Sequence, residues 1–291
     1  MPNWIPQLTQ DGSYTFFSEE FGEAFHSYQG AKTEAFQKFS DAIDLQHKAQ
    51  QPEIKLLDVC YGLGYNTAAA IEVIRKINPN CNIEICGLEL DPTVPVGAVT
   101  PQLLQYWSHH VQEILESLAK QHYYQQEYLK AQLLIGDARQ TIQSLIQSKF
   151  QADAIFFDPF SPRRCPQLWT IEFFQLVAQC LAPTGKLATY SRSASVRTAL
   201  LAAGLQIGTI PLGKLHLPYD WAQGTIAAWN SETLHPLSQM EQEHLNTRAA
   251  IPYRDRTLHD SAEEILARHE QEQRSSKVES TSSWRRRWNI K

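Results

Sequence analysis

From about residue 55 to residue 229 the chain alternates short apolar runs with stretches whose apolar residues recur every three or four positions. Seven runs read as strands: Lys55–Cys60, Asn82–Leu88, Ala131–Ile135, Ala152–Phe157, Lys186–Ser191, Leu205–Ile210 and Thr225–Trp229. Several, among them "DAIFFD" and "KLATYS", are apolar at successive positions, as strands covered on both faces are. Between them the spacing predicts helices. Asn66–Ile77 carries Ala69, Ala70, Val73 and Ile77 at helical spacing, and Leu103–Leu129 is a long, mostly polar helical region. Trp169–Leu181 stops before the Pro and Gly of "APTGK", and Ser195–Ala203 ends at Gly204.

Strands alternating with helices over short connections predict a doubly wound α/β sheet. The last two strands follow one another with only Pro211–Gly224 between them. That closing hairpin fits the Rossmann-like, seven-stranded sheet of a class I S-adenosyl-L-methionine (SAM) dependent methyltransferase better than an all-parallel dinucleotide fold. The expected organisation is an N-terminal extension over 1–50, the methyltransferase domain over 51–230 and a C-terminal extension over 231–291. In the last of these, "SAEEILARHEQEQRSSKVESTSS" reads as a surface helix fading into a partly disordered basic tail.

Composition narrows the class. In 291 residues, 43% hydrophobic and 20% charged, a sizeable globular core is possible. No stretch approaches the roughly 18 apolar residues of a membrane helix, and no secretory signal opens the chain; a cytoplasmic location is the expectation. The five cysteines, Cys60, Cys81, Cys86, Cys165 and Cys180, form no CxxC pair, so neither a disulfide framework nor a metal site is expected. The net charge of -5 argues against a chain that is basic throughout. The final "WRRRWNIK" is locally basic, and its Trp284 and Trp288 suit stacking on bases, if it is not a solvated tail.

Chemistry concentrates where strands end. "LLDVCYGLGYN" is an apolar strand followed by a loop with Gly62 and Gly64, and the third glycine of a dinucleotide fingerprint is replaced by Thr67. A phosphate-binding Gly-Lys-Ser/Thr is absent as well. The remaining use is SAM, whose amino-acid end needs close backbone approach and a nearby acid; Asp58 and Asn66 bracket the loop. Glu89, with Asp91 as second choice, ends the next strand, where an acid holds ribose hydroxyls. Asp137, beside Ala138, follows the third strand and suits the adenine amino group or a helix cap. In "AIFFDPFSPRRCPQLW", Asp158 reaches the rim where it can take a proton from an attacking amine, and Phe160 can face a planar substrate. Amino-methylating DNA enzymes carry a related Asp-Pro-Pro motif, of which "DPF" lacks the second proline.

Over about residues 14–230, the ordered stretches "FGEAFHSYQGAKTEAFQKF", "DVCYGLGYNTAAA", "GLELDP", "GDARQ", "FFDPFSPRRCPQLWT" and "LATYSRSASVRTALLAAGL" resemble the methyltransferase half of the MnmC family. These are tRNA 5-methylaminomethyl-2-thiouridine biosynthesis proteins, and the likeness is to members standing alone, without the FAD-dependent oxidoreductase half. The resemblance implies SAM as cofactor and methyl transfer to the aminomethyl amine on the wobble uridine of tRNA. By motif position it implies Asp158 as the acid-base residue, Gly62 and Gly64 at the methionine end, Glu89 at the ribose and Asp137 at the adenine. Two departures stand out: "DPFSP" replaces an Asp-Gly-Phe-Ala-Pro pattern, and "LGKLHLPYDWAQGT" replaces a basic stretch. For a tRNA partner, Arg163, Arg164, Arg192, Arg197 and the tail arginines are the candidate contacts. Two alternatives stay open: a small-molecule amine methyltransferase or aminopropyl transferase, and a non-catalytic tRNA-binding protein.

Overall fold

The most continuously apolar runs lie at the centre of a parallel sheet. The structure is a computed structural model, and it describes residues 4–211, 217, 219 and 221–290. Two compact units make up the chain: Met1–Phe160 with Cys180–Ala188, and Ser161–Gln179 with Thr189–Lys291. This division cuts across the three consecutive segments expected from the sequence, because the first fifty residues share a unit with the strands that follow.

In the first unit, besides two short N-terminal hairpins, the strands of the main sheet are β1 (Glu53–Val59), β2 (Asn82–Glu89), β3 (Tyr123–Gln126), β4 (Leu129–Ile135), β5 (Ala152–Phe157) and β6 (Leu181–Thr189). Their order is β6-β5-β1-β2-β4-β3, parallel except for β3. The chain moves outward from β1 through β2 to β4, then returns to the other side of β1 as β5. Ligands in doubly wound sheets bind at that reversal, beyond the carboxyl ends of the strands. Register brings those ends level: Val59 lies opposite both Leu88 and Phe157, and Glu89 opposite Ile135.

Helices α1 (Tyr65–Ile77), α2 (His109–Gln121) and α3 (Ala138–Gln147) cover the sheet. Ala68, Ile71 and Ile74 of α1 and Val111, Ile114 and Leu118 of α2 share a core with Leu56, Ile83, Ile85 and Phe156; Phe16, Phe39 and Ile43 from the N-terminal segment join it. That segment is therefore part of the core. Ring-to-ring packing of Phe39 against Phe156, with centroids 5.9 Å apart, anchors it to β5.

The long helical region expected over Leu103–Leu129 is broken up. Helix α2 ends where His122 takes a left-handed conformation (φ 58°), and "YYQQ" then becomes the antiparallel edge strand β3. This is one strand beyond the seven expected. The β6 strand extends further back than expected as well; a shift of register between Leu181 and Lys186 accommodates Pro183 and Gly185.

The second unit holds helices α4 (Ile171–Gln179) and α5 (Ala194–Ala202), and the hairpin β7 (Gln206–Ile210) and β8 (Gly224–Ala228), paired antiparallel over their full length. Most of the "LGKLHLPYD" connection between these strands lies outside the described residues. Helices α6 (Ala262–Ser275) and α7 (Thr281–Arg287) follow. The tail is ordered, contrary to expectation. Trp284 is buried, stacks on His244 with centroids 4.1 Å apart, and donates from Nε1 to the Met240 carbonyl. One buried indole with a satisfied N–H is enough to dock a short polar helix. Among the described residues, no helix is long and apolar enough to cross a membrane.

Candidate active site

The loop after β1 is a left-handed turn built from three residues. Cys60, Gly62 and Gly64 all have positive φ, at 68°, 56° and 81°. The Cys60 and Tyr61 amides both donate to the Leu88 carbonyl, which ties the loop to the end of β2. Gly64 is the N-cap of α1 and supplies no side chain to the first turn. A Cβ at Gly62 would make ordinary contacts with the Phe25 ring at 3.4 Å and the Cys60 carbonyl at 3.8 Å, whereas one at Gly64 would lie 2.5 Å from the Tyr61 hydroxyl. Gly64 is thus required by close packing, and Gly62 chiefly by its positive φ.

Three carboxylates and one amide surround this turn in the first unit; Asp58, Glu89 and Asn66 are buried and Asp158 is half-buried. Asp58 accepts from Thr67 Oγ1 at 2.7 Å through Oδ2, while its Oδ1 has no hydrogen-bond partner. Burial pushes its carboxyl up to about 7; the Thr67 hydroxyl opposes the rise and the charge of Glu89 adds to it. Glu89 receives the Gly62 amide on Oε2 at 2.7 Å and the Asp91 amide on Oε1 at 2.9 Å. Burial raises it to about 7 also, against those backbone donors. Asp158 follows β5 directly, and its amide donates to the Val59 carbonyl at 3.1 Å. Its carboxylate accepts from Asn66 Nδ2 at 3.0 Å. Burial first and the charge of Glu34 second hold the Asp158 carboxyl well above the usual carboxylate range. Asn66 Oδ1 is buried without a partner.

The sequence expectations at the rim divide. Asp58, Gly62, Gly64, Asn66, Glu89 and Asp158 come together. Asp91 caps the next turn, accepting from the Thr93 amide, and is not the rim acid. Asp137 caps α3 through the Arg139 amide at 2.9 Å and pairs with the Arg139 guanidinium at 2.7 Å. Its side chain stays 37% exposed, so lone pairs remain for a further donor, and Ala138 begins the helix beside it. Phe160 stacks on Phe21 with centroids 4.5 Å apart and meets Phe25 edge-on at 4.9 Å. Phe21, Phe25 and Glu34 were not singled out from the sequence. They lie in the quoted N-terminal stretch "FGEAFHSYQGAKTEAFQKF", but no local pattern says that it folds back onto the strand ends. Glu34 is held by Lys38 at 2.6 Å and by the Ser27 amide at 2.8 Å.

The basic residues proposed for a nucleic acid all fall in the second unit and are not alike. Arg163 and Arg164 are exposed in the turn after Ser161. Arg192 is exposed, with its guanidinium over the Trp221 ring at 5.0 Å and donating to the Ala222 carbonyl. Arg197 is a correction. It is 1% exposed, pairs with the equally buried Glu241 at 2.8 Å and donates to Thr225 Oγ1, so no phosphate reaches it. In the tail, Trp284 is buried and Trp288 donates to Glu243; Arg285, Arg286 and Arg287 are all exposed, and Arg287 is paired with Glu243 and Glu279.

Comparison with known proteins identifies the family and the fold. A family model for S-adenosyl-L-methionine-dependent methyltransferases matches residues 101–213. A solved structure of MNMC2 from Aquifex aeolicus superposes with a TM-score of 0.81 and 31% identity, covering 95% of this chain and 87% of that one. An uncharacterized protein of Methanocaldococcus jannaschii is 28% identical over 93% of this chain and 72% of its own length. The tRNA 5-methylaminomethyl-2-thiouridine biosynthesis bifunctional protein MnmC of Polaromonas naphthalenivorans is 25% identical over 72% of this chain. That alignment spans only 33% of the bifunctional protein.

Proposed function

The chain belongs to the MnmC-like family of SAM-dependent methyltransferases, and from that premise we propose that its acceptor is the aminomethyl amine on the wobble uridine of tRNA. The tRNA and the uridine come from the names of the relatives. The amine is supported by the site itself: Asp158, half-buried at the carboxyl end of β5, held by Asn66 and with a raised affinity for protons.

The residues present fit SAM. Asp58 Oδ1 is a buried acceptor without a donor, as an ammonium requires. Gly62 carries no side chain in the turn that follows Asp58, and Glu89 lies at the end of β2 where ribose hydroxyls would be held. Asp137 and Ala138 would face the adenine from the start of α3. When bound, SAM supplies a methyl on a sulfonium: the amine nitrogen takes the methyl, the C–S electron pair stays on sulfur, and one proton leaves the nitrogen. Asp158 is the acceptor for that proton. Its high proton affinity is set by burial and Glu34, and it lets a carboxylate do this work near neutral pH. Phe160, braced by Phe21 and Phe25, presents a ring to a flat substrate beside it. The rest of the rate comes from holding the amine in line and excluding water.

The test is methyl transfer from labelled SAM to tRNA from cells lacking the modification, followed by nucleoside mass analysis. The expected product is the methylaminomethyl nucleoside at the wobble position. Asp158→Ala should lower turnover by about 10²-fold or more, with SAM affinity held within a few-fold. Full turnover in that variant removes Asp158 from the chemistry; label absent from the wobble position removes tRNA as the acceptor.

A further inference from the structure

Asn66 is the second residue of α1, aimed by the left-handed turn at Gly64, and only 4% exposed. Its amide has one end in use. Nδ2 donates to Asp158 Oδ2, and that donor fixes which way the amide faces; Oδ1, the other end, is buried without any donor. Most buried amide oxygens in folded chains are hydrogen-bonded, so one left without a donor beside a catalytic candidate calls for an explanation, and a functional role is among those such groups have. The Asp58 orphan lies on the strand side of the turn and suits the ammonium of SAM. The Asn66 orphan belongs to the amide that holds Asp158, the residue read above as taking the acceptor's proton.

We propose that Asn66 Oδ1 and the Asp158 carboxylate together grip the two N–H groups of the substrate's primary amine. This rests on the amine-methylation reading above. A neutral primary amine has two N–H groups and one lone pair. With both N–H groups held by fixed acceptors, the lone pair has one direction left, away from them and toward the methyl. Once the N–C bond forms, the same two contacts hold the product ammonium, and Asp158 takes one of its protons. The neutral product then has a single N–H, leaves one acceptor unfilled, and transfer ends after one methyl. Asn66 also acts on Asp158: its N–H favours the ionised carboxylate and partly offsets the effect of burial and Glu34.

Two variants and three readouts test this. Asn66→Leu removes both ends of the amide, and Asn66→Asp keeps the size and the acceptors but loses the donor to Asp158. The measurements are SAM affinity, affinity of the protein loaded with S-adenosylhomocysteine for the nucleoside 5-aminomethyluridine, and the pH profile of methyl transfer to tRNA. For Asn66→Leu we expect SAM affinity within about threefold of the parent, nucleoside affinity lower by about tenfold, and kcat lower by about 10²-fold. For Asn66→Asp we expect the nucleoside still to bind and the acid limb of the pH profile to move up by about one unit, because Asp158 loses a donor and gains a like charge. Retained amine affinity and turnover in Asn66→Leu would overturn the proposal, as would a loss of SAM affinity as large as the loss of amine affinity. A parent chain that binds the nucleoside through Asn66 but labels no tRNA would instead reject the tRNA reading and leave this assignment standing.

Discussion

Asp58 shows how a binding site loads strain onto a single side chain. Its carboxyl is buried with one oxygen unpartnered, and its proton affinity sits at about 7, against about 4 for an exposed aspartate. The folded chain therefore favours the protonated form. Its contribution to stability is fully present below about pH 4 and is lost as pH rises through about 7. In Asp58→Asn that loss cannot occur. Thermal melts of the ligand-free proteins should show the variant gaining on the parent between about pH 4 and 7, then holding a constant lead. With SAM present the order should reverse at neutral pH, because the ammonium supplies the missing partner; removing one side of a buried ionic contact costs about 2–5 kcal/mol of binding. A stability difference that does not change with pH would mean that Asp58 stays ionised in the fold.

At the scale of elements, the turn between β1 and α1 explains why two glycines flank Leu63. Both have positive φ, but only Gly64 is also enclosed, by the Tyr61 hydroxyl and Leu115. Gly64→Ala should therefore destabilise by about 2–3 kcal/mol and loosen SAM binding, whereas Gly62→Ala should cost about 1 kcal/mol, since its Cβ makes only ordinary contacts. Urea titrations of the two variants compare these directly, and equal costs would mean that packing at Gly64 yields. The same turn was legible in the sequence because an apolar strand, two glycines and a helical period sit in one stretch. Likewise β1, β2 and β5 declare themselves by apolar residues at successive positions. What was not legible has physical causes. The β3 strand is polar, lies at an edge, and depends on one left-handed histidine to stop the preceding helix. The tail is polar enough to read as disorder, because its docking rests on Trp284. Phe21, Phe25 and Glu34 reach the rim by folding back over a long sequence separation, and a reading of strand ends sees only what directly precedes and follows them.

For the whole molecule the question is how a chain of net charge -5 would hold a polyanion. Charge averaged over the surface works against association, so affinity has to come from a few exposed cations whose phosphate contacts release counterions. The second unit separates its arginines by environment. Arg163, Arg164, Arg285 and Arg286 are exposed, while Arg197 is buried against Glu241 and Arg287 is engaged by two glutamates. A salt titration of tRNA binding distinguishes the two groups. Replacing Arg163 and Arg164 together with alanine should weaken binding for every tRNA sequence and lower the slope of log affinity against log salt by about two, one for each contact. Arg197→Leu should leave that slope alone and show up in stability, since it strands Glu241 as a buried, uncompensated charge at a cost of about 3–5 kcal/mol. The double variant of Glu241→Gln with Arg197→Leu should recover part of that loss, because no unpaired charge remains. An unchanged slope on removal of Arg163 and Arg164 would move the nucleic-acid contact to the tail arginines, where Arg285→Ala with Arg286→Ala repeats the measurement on the other exposed pair.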